Sequence, residues 1–170
     1  MGRKGWHSRG YLPHMDGSEV VQHVVFRLAD ALPDDATDAG DEVLDRGLGA
    51  AVLRNPYCAE IVTRSLMHHH GARYDIHAWC IMPNHVHVLL ETHRSHELGA
   101  IVRGWKSFSG RLINAHLGRE GRLWAVDYFD RYMRDGDHYE TTRRYIERNP
   151  VTAGLCKHPE DWPFSSAFRE

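Results

Sequence analysis

The chain has 170 residues, 42% hydrophobic and 26% charged, which suits one soluble globular domain spanning residues 1–170 and leaves no room for several cores. Nothing approaches the ~18 consecutive apolar residues of a membrane span, and no apolar run follows Arg3 and Lys4, so neither a membrane nor a secretory address is expected. Three widely spaced cysteines (Cys58, Cys80, Cys156) exclude a complete disulfide framework and point to reduced thiols in the cytoplasm, while a formal charge of −2 excludes a uniformly basic nucleic-acid binder.

The charge is unevenly spread. Residues 16–60 hold ten acidic side chains against three basic ones, whereas residues 101–148 hold ten basic and seven acidic. In chain order, Ser18–Ala29 (SEVVQHVVFRLA) is rich in β-branched residues and reads as a first strand. Asp30–Gly49 is acidic and reads as a loop with one helical turn near Glu42–Asp45. Asn55-Pro56 is an N-cap followed by proline at the first helical position, opening a helix from Pro56 to His70. Tyr74–Met82 and His85–Glu91 are strands separated only by Pro83-Asn84, which makes them antiparallel neighbours. Ser95 is the expected N-cap of a long helix reaching Leu117, with Leu98, Ile101, Val102, Trp105, Phe108 and Leu112 as its apolar stripe. Trp124–Met133 reads as a fourth strand, and Asp137 as the cap of a last helix ended by Pro150. The order is β-α-β-β-α-β: an α+β, ferredoxin-like antiparallel sheet with helices on one face, plus a C-terminal helix.

Two short motifs carry chemistry. In His85-Val86-His87 the strand alternation sends both imidazoles to one face, where they can share one divalent ion at roughly 2.0–2.2 Å per nitrogen. On the last helix Tyr145 and Asn149 stand four residues apart on one face, so a phenol nucleophile and a third metal ligand can be presented together. Arg143, Arg144 and Arg148 flank them, and with Arg103 and Lys106 on the long helix they are candidate phosphate contacts. Such a set suits phosphodiester chemistry, because a tyrosine nucleophile stores the bond energy in a phosphotyrosine that a later hydroxyl can reclaim. Tyr128, Tyr132 and Tyr139 are rival nucleophiles, and His68–His70 point around a helix and cannot converge.

Together these motifs resemble the HUH single-strand transposases, and within them the REP-associated tyrosine transposases. The matching stretches are Trp79–Glu91 (WCIMPNHVHVLLE), Trp124–Arg134 (WAVDYFDRYMR), Tyr145-Ile146 with Asn149-Pro150-Val151, and Pro159–Ser166. Leu12-Pro13-His14 and Phe26–Pro33 fit as well. The resemblance implies a metal site on His85 and His87, with Asn149 as third ligand and Tyr145 as nucleophile. It further implies magnesium or manganese as cofactor, and single-stranded DNA beside a REP-like hairpin as substrate, for a monomer or homodimer. A catalytically silent nucleic-acid-binding module of the same fold is the alternative expectation.

Overall fold

The computed structural model describes residues 20–32 and 40–170, together with the backbone of two short paired strands, β1 (Trp6–Ser8) and β2 (Pro13–Met15). The start of the expected first strand (Ser18, Glu19), Leu12 and Pro33 lie outside the described residues, as do the acidic residues of 34–38.

Four strands form the main sheet: β3 (Val21–Arg27), β4 (Tyr74–Ile81), β5 (His85–Thr92) and β6 (Phe129–Tyr132). Their spatial order is β4-β5-β3-β6, and every pairing is antiparallel. The split β-α-β order expected from the sequence is therefore present. The β4–β5 turn is as tight as Pro83-Asn84 implies, with the Met82 amide donating to the His85 carbonyl at 2.8 Å.

The chain length suggests a single core, but strand alternation gives the sheet an apolar cluster on each face. Val24, Phe26, Val86, Val88 and Leu90 face two helices, α2 (Pro56–Met67) and α3 (Leu98–Leu117), which contribute Ile61, Val62, Leu66, Ile101 and Trp105. Ala78, Cys80 and Leu89 face the other way and pack on Ile146 of α4 (Gly136–Thr152). The tyrosine helix thus lies on the face of the sheet opposite α2 and α3, where it covers the side chains at the odd-numbered positions of β5. Among the described residues no helix is long and apolar enough to cross a membrane.

Several boundaries differ from expectation, each for a local reason. Asn55 does cap α2, accepting from the Tyr57 amide at 2.9 Å, but the helix ends at Met67 because His70 turns back to accept the Ile76 amide at 3.0 Å. Glu97, not Ser95, precedes α3; Ser95 sits at φ +74°, where it reverses the chain instead of capping. Phe108 is partly exposed, so the α3 stripe is narrower than the spacing suggests. The fourth strand is reduced to Phe129–Tyr132. Upstream, the Lys106 ammonium takes the carbonyls of Ala125 and Asp127, each at 2.9 Å, and pulls them out of the ladder. Asp135, not Asp137, caps α4 by accepting the His138 amide at 2.7 Å. Pro150 lies inside the last turn, which closes through Ala153 N–H to the Asn149 carbonyl at 3.0 Å. One short helix, α1 (Asp41–Leu44), occupies the acidic connection and is anchored by buried Leu44.

Candidate active site

His85 and His87 are both fully buried, on the α4 face of β5, with ring centroids 5.0 Å apart. Each is held through its Nδ1 by a different neighbour. Asn84 gives its Nδ2 to the Leu48 carbonyl at 3.3 Å, which leaves Oδ1 facing His85 Nδ1 at 2.8 Å. An amide oxygen only accepts, so the His85 proton is on Nδ1 and its Nε2 carries a lone pair. His87 Nδ1 meets His23 Nε2 at 3.0 Å, and the two rings stack with centroids 5.2 Å apart. His23 reaches it from the neighbouring strand β3, where it projects between buried valines.

Neither His85 Nε2 nor His87 Nε2 has a hydrogen-bond partner, and both amide atoms of Asn149 are likewise buried and unpartnered. Orphaned polar atoms of this kind are costly in a core, about 1–3 kcal/mol each, unless something else engages them. Burial holds the rings neutral: His87 is pushed down to about 3 by desolvation. His23 is also pushed down to about 3 by desolvation, with His87 adding to the effect. His85 is driven well below its ordinary value for the same reasons. A neutral imidazole with a free Nε2 lone pair, oriented by a second group, is the form that ligates a divalent ion. His85 has it, and His87 has it when its Nδ1–H donates to His23. Among the described residues no three His, Cys, Asp or Glu side chains are gathered as a metal-holding group. Asn149, whose two amide atoms are buried and unpartnered, is a candidate further donor beside the imidazole pair.

Tyr145 stands over this pair. Its ring meets His87 edge-on with centroids 5.8 Å apart and His23 at 6.3 Å, while 40% of the residue stays exposed. The hydroxyl donates to Asp41 Oδ2, a carboxylate brought in by α1. Burial first, and the bond to Asp41 second, push the phenol above its ordinary value; the nearby Asn149 amide opposes them. A neutral phenol already bonded to a carboxylate has a proton acceptor in place. The rival tyrosines are otherwise engaged or enclosed: Tyr139 bonds His77 Nδ1 at 2.9 Å, and Tyr128 is buried.

The arginines expected beside Tyr145 divide. Arg143 is clamped by Glu140 and Glu147 at 2.6 Å each, and Arg144 pairs with Glu140 at 3.3 Å, so helical i,i+3 and i,i+4 pairing has claimed both. Arg148 is exposed and makes no ion pair among the described residues. Arg103 and Lys106 lie elsewhere, in a groove of about 600 Å³ between α3 and residues 121–128 that also takes Arg111 and Arg122. Lys106 is half-buried there, its ammonium spent on backbone carbonyls, and desolvation lowers it to about 8.

Sequence reasoning overlooked four residues. His23 breaks the apolar run VVQHVVF at a period-two position, and Asn84 adjoins the histidine pair; both signals were visible. Asp41 and Asp45 were hidden in an acidic stretch that reads as solvated loop.

The family model for Transposase IS200 like matches residues 55–149, more than half of the chain, and the chain belongs to that family. The matched stretch contains His85, His87, Tyr145 and Asn149, and leaves out His23, Asp41 and Asp45. The chain is 28% identical over 103 residues to a putative REP-associated tyrosine transposase of Haemophilus influenzae, covering 55% of this chain and 58% of that protein. It is 26% identical over 102 residues to the REP-associated tyrosine transposase of Escherichia coli K12, covering 57% and 56%. The chain thus spans somewhat over half the length of the curated relatives it matches. A solved REP-associated tyrosine transposase bound to a REP hairpin superposes with TM-score 0.65 at 18% identity, over 94% of this chain and 81% of that one, which shows a shared fold.

Proposed function

We propose that this protein is a tyrosine transposase that cleaves and rejoins single-stranded DNA beside a hairpin, with Tyr145 as the nucleophile. The observation that carries this reading is the pair of buried, unpartnered Nε2 atoms on His85 and His87 with the Tyr145 ring directly against His87. Membership of the IS200-like family and the named relatives support it from a second direction.

In the reaction the Tyr145 hydroxyl passes its proton to the Asp41 carboxylate as its oxygen bonds to phosphorus, and the bond to the 3′ oxygen breaks. The 3′ oxygen takes a proton from solvent and leaves as a hydroxyl, and the 5′ phosphate stays on Tyr145 until a 3′-hydroxyl attacks it in the reverse sense. His85, His87 and Asn149 would hold a divalent ion, magnesium or manganese, which would supply charge neutralisation at the scissile phosphate. Asn84 keeps His85 in the ligating tautomer, and His23 orients the His87 ring. Arg148 and the groove arginines Arg103, Arg111 and Arg122 offer cations to the DNA backbone.

The test is a denaturing gel of labelled hairpin DNA with a single-stranded flank, incubated with the protein and Mn²⁺. A protease-sensitive shifted band is expected from the parent protein and none from Tyr145→Phe. Hairpin binding without adduct or cleavage would favour the silent binding module. Cleavage that persists in Tyr145→Phe would remove the tyrosine from the mechanism.

A further inference from the structure

The face of His85 that carries the lone pair does not look into empty space. Asp45, the residue that closes α1, places Oδ1 3.7 Å from His85 Nε2. That oxygen is buried and, like Nε2, has no hydrogen-bond partner. The contact is hard to explain as a hydrogen bond, because the bond to Asn84 Oδ1 has already placed the ring proton on Nδ1. Two acceptors therefore face one another, buried, with no donor between them. Such an arrangement is unfavourable for the protein alone, and a cation between the two atoms resolves it. Both atoms lie within reach of one ion at roughly 2.0–2.2 Å each. Their 3.7 Å separation is wider than that of neighbouring donors of an octahedral ion, so Asp45 would close on His85 as the ion binds. This is consistent with these side chains not being gathered as a metal-holding group without it.

Asp45 is not there by accident of a wandering loop. Its amide donates to the Asp41 carbonyl at 2.8 Å, which fixes it on the last turn of α1, and buried Leu44 pins that turn to the core. The same turn delivers Asp41 to Tyr145. One short helix thus directs two carboxylates at the site, one toward the nucleophile and one toward the histidine pair.

The charge balance of the ligand set points the same way. His85, His87 and Asn149 are all neutral donors, so a dication on them alone would bring two uncompensated charges into a buried site. Magnesium and manganese favour oxygen, and carboxylate oxygen above amide oxygen. We infer that Asp45 is a fourth, anionic ligand of the ion held by His85 and His87, contributed by a segment outside the stretch that the family model matches. This inference rests on the reading of His85 and His87 as metal ligands.

The experiment is a titration of Mn²⁺ into metal-free protein, with free Mn²⁺ read by electron paramagnetic resonance, for the parent, Asp45→Asn and His85→Ala. Melting temperatures of the same proteins, with and without Mn²⁺, give a second readout that needs no DNA. The parent is expected to bind one ion, Asp45→Asn to bind it roughly ten- to a hundredfold more weakly, and His85→Ala to bind none. Metal-free Asp45→Asn is expected to melt at or above the parent, since an unpartnered buried carboxylate is gone, yet to gain less from Mn²⁺. Equal affinity of parent and Asp45→Asn would overturn the inference and leave the histidine site standing. Absence of Mn²⁺ binding by the parent would overturn both. A metal-free Asp45→Asn that melts well below the parent, with the Mn²⁺-induced rise unchanged, would make Asp45 a structural residue.

Discussion

The two faces of the sheet treat their polar groups in opposite ways. On the α2/α3 face they bond to one another: Trp105 Nε1 donates to Tyr74 Oη at 2.9 Å, Tyr74 Oη to the Leu66 carbonyl at 2.8 Å, and Trp124 Nε1 to Ser109 Oγ at 3.0 Å. Phe26 packs between Trp105 and Trp124, with centroids 6.1 and 4.8 Å away. On the α4 face His85, His87, Asn149 and Asp45 all bury atoms that bond to nothing. The first face is arranged for stability, since its donors and acceptors are mutually consumed. The second is arranged for a ligand, since its unsatisfied atoms cost stability until something binds them.

That contrast breaks most visibly under paired substitutions. Trp105→Ala is expected to cost about 3–5 kcal/mol in denaturant unfolding, through lost packing and the lost bond to Tyr74. His87→Ala should change metal-free stability far less while eliminating DNA cleavage. Equal destabilisation by the two would mean that the histidine face is as structural as the tryptophan face.

Acid sharpens the same comparison. His23, His85 and His87 are held neutral by burial, with His23 and His87 pushed down to about 3, whereas an unfolded chain protonates them below about 6.5. Below that value the unfolded state binds more protons than the folded one, so stability falls with pH between about 6.5 and 3. His23 and His87 each add on the order of a few kcal/mol to that loss at its acid end, and His85 acts in the same direction. Melting of metal-free protein across this range should therefore drop steeply, and less steeply in His23→Phe. An unchanged slope in that variant would mean that His23 is charged or open to solvent.

The smallest effect concerns Lys106, whose burial against the 125–127 carbonyls lowers it to about 8. Here the unfolded lysine keeps its proton up to about 10.5, so the folded state gains stability as pH rises from about 8 to 10.5. The difference in melting temperature between parent and Lys106→Met should grow in the parent's favour over that window. A flat difference would place the ammonium in water and free it for phosphate.

What was legible in the sequence was whatever a local rule determines. Asn55-Pro56 announces its helix because capping and fixed φ act within three residues, and the HVH alternation follows from the strand period alone. Tyr145 and Asn149 share a face for the same kind of reason. The failures all involve a partner distant in sequence or a competitor nearby. Ser95 has cap chemistry, but its backbone turns the chain two residues early. Trp124–Met133 has strand composition, yet between the Leu28–Trp124 bridge and Phe129 the Lys106 ammonium takes the carbonyls of Ala125 and Asp127 and the ladder is interrupted. Arg143 and Arg144 read as free cations, whereas Glu140 and Glu147 pair with them in the structure. Asp41 and Asp45 acquire meaning only when α1 folds against β5, a contact that no window along the chain contains.

The central claim is that Tyr145 forms the covalent link to DNA, and locating that link tests it most directly. Trypsin cuts after Arg144 and Arg148, so Tyr145 is released in the short peptide Tyr145–Arg148. Mass spectrometry of digested, nuclease-trimmed adduct should find a nucleotide phosphate on that peptide. A nucleotide on a peptide carrying Tyr128, Tyr132 or Tyr139 would contradict the account, as would cleaved DNA with free 5′ phosphate and no modified peptide.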